Sequence, residues 1–454
     1  MTADTVLESQ ISTWRTYMLH RRTIHDTDVD ELEDHLRGRI TDLTQTGLES
    51  DEAFLIAVKR MGGVNELSRE FAREHSERLW KQLMLTADPD EPTARGRHSA
   101  LKTMLVCAGA SALAIKIPSM FGITLSEHWG FLARNLGIFA LAPLAAYFLT
   151  RRRAGTGTIA AVTALFALGA IAANVYPLTN GDHTTVLTAI HLPIALWLAV
   201  GVAYAAGDWR SQQRRMDFIR FTGEWCIYMV LIALGGGVLA GITAGTFAAI
   251  GVDSLDFLAN VLIPCGGVAA VVVTAWLVEA KQSVIENMAP VLTRVFTPLF
   301  TATLLAVVGA ILITNNGVTV EREVLILFDL LLVVVLGLLL YSISARDPLA
   351  PPGIFDWMQL ALIVSALLID ILGLVAMSVR LSDSWGFTPN RSAALGENII
   401  LFVNLAVAAW LVLGLVRARI PFARLERWQT NYLVVFAAWA WVVAFVFPPV
   451  FGFA

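Results

Sequence analysis

Val324-Leu-Ile-Leu-Phe-Asp-Leu-Leu-Leu-Val-Val-Val-Leu-Gly-Leu-Leu-Leu-Tyr-Ser-Ile343 carries a single charged side chain. As a helix the stretch rises about 30 Å, the thickness of a bilayer's hydrocarbon core. A surface helix of a soluble domain is apolar on one stripe only. This one is apolar all round, so it reads as a membrane span with one aspartate, Asp329, inside it.

Ten further stretches read the same way, near 101–121, 129–150, 157–177, 186–206, 221–245, 258–279, 296–314, 356–378, 392–416 and 430–449. Composition agrees. The chain is 56% hydrophobic and 15% charged, with a mean hydropathy of +0.65. Soluble domains carry about 25% charged residues, so an ordinary soluble enzyme is excluded.

Charge is unevenly distributed. Residues 1–100 hold 19 Asp/Glu against 13 Lys/Arg, and the other 354 hold 18 against 20. An acidic head therefore precedes a hydrophobic body. Nucleic-acid binding needs clustered Lys/Arg, so no direct contact with nucleic acid is expected. The start, MTADTVLESQISTW, has no apolar core and predicts no cleavable signal peptide. Cys107, Cys226 and Cys265 all fall in apolar stretches, with neither metal-site spacing nor a disulfide framework. No cofactor and no metal are expected.

The head reads as short amphipathic helices. Asp28-Val-Asp-Glu31 forms a capping box ahead of Leu32, Leu36, Ile40 and Leu43, and Gly47 ends that helix. Ser50 caps the next, which closes at Gly62-Gly63, and Asn65 opens a third with Leu67, Phe71 and Leu79. Phe54, Val58, Met61, Leu67 and Phe71 are expected to share a core with Leu32 and Leu36. Residues 86–98 are polar with two prolines and read as a linker. The expected fold class is all-α: a polytopic transmembrane bundle of about eleven helices over 99–454, behind a small cytoplasmic helical domain over 1–85.

Orientation follows from loop charge. With the head inside, the cytoplasmic loops carry 14 Lys/Arg, against five (Lys116, Arg134, Arg322, Arg380 and Arg391) in the external loops and span interiors. The expectation is a multi-pass protein of the bacterial plasma membrane, N-terminus cytoplasmic and C-terminus external. Trp209, Arg210, Arg214, Arg215, Arg424, Arg427 and Trp428 suit an aromatic and basic belt against anionic lipid.

Enzyme motifs are lacking: no H-E-x-x-H, no G-x-S-x-G and no phosphate-binding lysine loop. Glu127-His128 and the loop before span 10 are the nearest thing to an external catalytic group. Ionisable residues within spans say more, because each costs at least ~2.5 kcal/mol at the bilayer centre. Lys116, His191, Asp329 and Asp370 all fall roughly 8–12 Å below the external surface, and Arg134 and Asn174 lie at similar depth. Charges of both signs at one depth suggest an outward-facing polar pocket, with Lys116 paired to Asp329 or Asp370. The bland alternative is a snorkelling lysine and aspartates bonded within their own helices. Gly237, Gly241 and Gly245 line one face at the spacing of close helix contact. Pro264-Cys265-Gly266-Gly267 is expected to kink or break span 6.

Two regions resemble known families. Glu31-Leu-Glu-Asp-His-Leu-Arg37, Gly47-Leu-Glu-Ser-Asp-Glu-Ala-Phe54, Ala57-Val-Lys-Arg-Met-Gly62 and Glu70-Phe-Ala-Arg-Glu-His75, spread over about residues 8–83, resemble the permease prefix domain, also called the HAAS signalling domain. That resemblance implies a cytoplasmic head on a bacterial membrane protein, partnered with a PadR-type transcriptional regulator. Phe387-Thr-Pro-Asn-Arg391 before a long apolar helix resembles the polytopic family called domain of unknown function 4153, over about 290–450. Neither resemblance implies a catalytic residue.

The functional expectation is a membrane-anchored signalling or regulatory protein, with membrane lipid and a cytoplasmic protein as partners. Glu31, Asp34, Glu52 and Glu70 are the candidate docking face, which a solvated surface would equally explain. The second expectation is a secondary transporter using Lys116, His191, Asp329 and Asp370. A third, an external enzyme on lipid-linked substrates, would rest on Glu127, His128 and the 388–391 loop.

Overall fold

The computed structural model describes residues 7–8, 10–12, 14–15, 26–45, 48–61, 94–123, 128–179, 182–280, 288–314, 322–348, 350–382 and 387–453. These fall into two compact units, Met1–Arg97 and His98–Ala454. Among the described residues there is helix and no strand.

In the first unit α1 (Asp26–Gln45) and α2 (Ser50–Met61) pack together. Leu36 and Ile40 meet Ala53, Phe54, Ala57 and Val58, and Ile11 and Trp14 complete the core. Leu36, Phe54 and Val58 are the core residues the amphipathic pattern named; Ile11 and Trp14 precede it. Polar bonds tie the same segments. Arg37 reaches Glu8 with both terminal nitrogens, at 2.6 and 2.8 Å, and Glu33 accepts from Arg15 and from Arg37 Nε. The Arg15 and Arg37 bonds hold the Glu33 carboxyl below its ordinary range, and the Glu8 carboxylate raises Arg37 further above its own. Residues 62–93, which include the expected third helix and the first part of the expected linker, lie outside the described residues; residues 94–98 of that linker are instead helical, continuous with the helix that runs to Met120.

The second unit is a polytopic helical membrane protein. It contains eleven helices long and apolar enough to cross a bilayer: α3 (Ala94–Met120), α4 (Trp129–Arg151), α5 (Thr156–Asn174), α6 (His183–Tyr204), α7 (Gln212–Ala249), α8 (Leu255–Ala280), α9 (Met288–Thr314), α10 (Arg322–Ala345), α11 (Ile354–Ser382), α12 (Pro389–Val416) and α13 (Phe422–Val450). Each coincides with one expected span, because only a helix satisfies its own backbone in hydrocarbon. Caps set the ends where the sequence offers them. Ser211 Oγ accepts from Arg214 N at the start of α7. Thr388 Oγ1 accepts from Arg391 N at the start of α12, with Pro389 in the first turn.

Two large apolar clusters divide the bundle, and a small third one, Leu187, Ala393 and Val443, joins α6, α12 and α13. The first is built on α3–α6 and α8, the second on α9–α13. Helix α7 belongs to both: Phe218 and Phe221 pack into the first, Met216 and Ile219 into the second. Near the helix ends, polar bonds staple neighbours. Arg152 bonds Glu279 at 3.3 Å and lies 3.9 Å over the Tyr204 ring. Arg346 bonds Asp356 at 3.0 Å, and Arg220 Nε donates to Ser344 O.

One local expectation comes out differently. Nothing approaches the Cβ positions of Gly235, Gly237, Gly241 or Gly245 within 4 Å. That half of α7 is exposed, because its packing partners all meet the other half. Span 6 departs from regular α-helix just ahead of Pro264, in a π-helical turn over Leu258–Leu262, and then runs on to Ala280 without a break.

Candidate functional site

Four helices bring ionisable or amide side chains together in the second unit. Counting from their ends at His183, Arg322, Ser382 and Pro389, His191, Asp329 and Glu397 lie about 10–12 Å along α6, α10 and α12, and Asp370 about 18 Å along α11. Asn398 Nδ2 donates to Asp329 Oδ1 at 2.9 Å and to its own helix at Ala394 O. Asp370 and Glu397 both have Asp329 as a charged neighbour. Glu397 Oε2 lies 3.9 Å from His191 Nε2. On the other side of the ring, His191 Nδ1 is 2.9 Å from Leu187 O. A carbonyl oxygen only accepts, so the bond network assigns a proton to Nδ1 and turns Nε2 toward Glu397.

Asp370 is the extreme member. Its exposure is 0%, and among the described residues neither carboxylate oxygen has a hydrogen-bond partner. Burying an unpaired ionic carboxylate costs several kcal/mol. Folding alone gives no reason to keep one there.

Beside this group lies a cavity of about 1600 Å³, between the two large apolar clusters and along α7. It exceeds the roughly 300–1,000 Å³ of drug-sized sites. Its wall is apolar and rich in aromatic rings, with His191 and Glu397 among its few polar residues. The Trp197 and Trp225 indoles donate to Thr222 Oγ1 and Val271 O, leaving their rings to the space. A Cβ on Gly396 would collide with the Trp439 ring, so glycine is what lets that indole pack beside Glu397.

Of the four residues that depth selects, the structure brings His191, Asp329 and Asp370 to one place. Lys116 it does not. Lys116 is half-buried on α3, where its carbonyl accepts from Ser119 Oγ, and no ion pair joins it to either aspartate among the described residues. Arg134 instead donates to Leu178 O at 2.7 Å, and Asn135 and Asn174 pair their amides. Glu397 and Asn398 are the residues that depth reasoning passed over, although both stand inside the span expected at 392–416. Among the described residues no three or more His, Cys, Asp or Glu side chains converge as a metal-binding group.

The remaining candidates are scattered. In the head, Asp34 and Glu52 are exposed on α1 and α2, and Glu31 is a residue of α1. Glu70 and Glu127 lie outside the described residues. His128 precedes α4 without capping it, and Asn390 bonds the His183 ring at 2.8 Å.

No family model, no curated protein and no solved structure matches this chain.

Proposed function

We propose that the membrane unit is a secondary transporter of a lipophilic solute. The solute occupies the cavity beside α7, and the Glu397–Asp329–Asp370 group exchanges a proton or small cation in step with it. One observation supports this reading: a fully buried carboxylate, Asp370, without a hydrogen-bond partner among the described residues, in the same helical unit as a large apolar cavity that Glu397 lines. Intramembrane ionisable groups without a structural partner mark ion pathways. With the head inside, the polar group lies on the external side of the bacterial plasma membrane.

The test is reconstitution of the full chain into vesicles under an imposed pH gradient, with ethidium and anilinonaphthalene sulfonate as lipophilic probes of opposite charge. Gradient-dependent movement of either probe, lost in Asp370→Asn, supports the reading. Probe movement equal to that of protein-free vesicles defeats it.

The head supports a second, compatible role. It has its own core and presents Asp34 and Glu52 to solvent, as a docking domain for a cytoplasmic protein would. Together with Glu31 and Glu70 these carboxylates form the proposed face, and the resemblance to the HAAS domain makes a PadR-type regulator the proposed partner. Co-purification of such a regulator with the full chain, lost on Asp34→Lys with Glu52→Lys, is the expected result. Unchanged recovery with the double variant defeats this role.

A further inference from the structure

We infer that the cavity takes a lipophilic monocation, an apolar body bearing one positive charge, with that charge held beside Glu397 and His191. The inference rests on reading the cavity as a solute site and adds the sign of the solute's charge.

Three features of the wall select that sign. First, among the described residues neither lysine nor arginine lines the cavity, whereas Glu397 does. Behind Glu397 stand Asp329 and Asp370, and no ion pair with Lys or Arg reaches either of them among the described residues. The group can therefore carry negative charge, and among the described residues His191 is the one basic side chain that lines the cavity. An anionic head, such as a lipid phosphate, would meet a carboxylate in low dielectric, where like charges repel strongly.

Second, the gap between Glu397 Oε2 and His191 Nε2, at 3.9 Å, is too wide for a hydrogen bond between them. With Nδ1 committed to Leu187 O, neutral His191 turns an acceptor nitrogen toward the gap, opposite the carboxylate. Two acceptors facing one space suit a positive centre or an N–H donor.

Third, the walls are aromatic. Trp129, Trp197, Trp225, Trp439, Phe218 and Tyr341 all line the cavity, and a desolvated cation over an indole face gains attraction that an anion does not. Trp197 and Trp225 are held in place by hydrogen bonds at 3.2 and 3.1 Å, so their rings are fixed features of the wall.

The experiment uses the full chain in nanodiscs of neutral lipid. Tetraphenylphosphonium and tetraphenylborate have nearly the same size and shape and opposite charge. Their binding is measured by equilibrium dialysis against protein-free nanodiscs. Saturable binding of tetraphenylphosphonium, at least about tenfold tighter than tetraphenylborate, is the expected result. Glu397→Gln should weaken the phosphonium at least about tenfold, and Glu397→Asp should restore most of that loss.

Equal binding of the two ions, preference for the borate, or no saturable binding of either overturns the inference. So does a Glu397→Gln protein that unfolds at the wild-type temperature and binds the phosphonium as well as wild type. Should that variant fail to fold, the contrast between the two ions in wild type still decides. Charge-selective binding without vesicle transport would remove the transporter reading and leave this inference standing. Transport without charge selection would do the reverse.

Discussion

Asn398 Nδ2 donates to Asp329 Oδ1 over 2.9 Å, tying α12 to α10 through a polar bond inside the membrane unit. Removing that donor strands a part-buried carboxylate. Asn398→Leu should lower the unfolding free energy by about 1–3 kcal/mol, read as a drop in the thermal midpoint of the detergent-solubilised chain. The double variant Asn398→Leu, Asp329→Leu should recover much of it, since removing both partners costs far less than removing one. Additive losses would show that the bond does not hold these helices.

Asp370 makes the opposite prediction. Its oxygens are fully buried and, among the described residues, unpaired, so Asp370→Leu replaces a desolvation cost with apolar contact. The variant should be more stable by about 1–3 kcal/mol while gradient-driven transport disappears. A destabilised variant would mean that the carboxylate has a structural partner after all.

Close approach separates one glycine from another. A Cβ on Gly223 would meet the Tyr341 ring, whereas one on Gly241 would meet nothing within 4 Å. Gly223→Ala should cost about 1–3 kcal/mol by overpacking. Gly241→Ala should be neutral or stabilising by up to about 1 kcal/mol, the helix-propensity gain. A large loss at Gly241 would reveal a partner on the exposed half of α7.

In the head, Glu33 sits below its ordinary value of 4.5, chiefly through its bond to Arg15. A carboxyl depressed in the folded state contributes stability above its unfolded value, and loses it as pH falls through the folded one. Amide exchange in Asp26–Gln45 should therefore accelerate as pH drops below about 4.5, beyond its intrinsic pH dependence. In Glu33→Gln that acceleration should shrink. The same profile in both proteins would assign the acid sensitivity to another group.

Much of this fold was legible because hydrocarbon thickness is a length, and length is read directly from sequence. All eleven spans lie where the apolar stretches put them. Depth was legible for His191 and Asp329, whereas Asp370 lies about 18 Å along α11, because that helix runs on to Ser382, past the expected span end at 378. Azimuth was not legible. Lys116 shares their depth but sits on a helix that does not bring it to them, and nothing in Ile115-Lys116-Ile117 says so. Glu397 and Asn398 were within reach of the same test of charge inside a span. The cavity was not: it is apolar space between helices distant in sequence, and apolar residues there look like any others in a span. The glycines of α7 show the converse limit, since small residues permit close contact and do not compel it.

The most direct test plugs the cavity. Gly337 lines it, and a Cβ there would meet nothing within 4 Å, so Gly337→Trp puts an indole into open space. Ethidium movement into vesicles under a pH gradient is compared for the wild-type chain and this variant, each with its thermal midpoint. The expected result is an unchanged midpoint with gradient-driven movement reduced to that of protein-free vesicles. Wild-type movement through a folded Gly337→Trp protein would contradict the claim that the cavity beside α7 is the solute site.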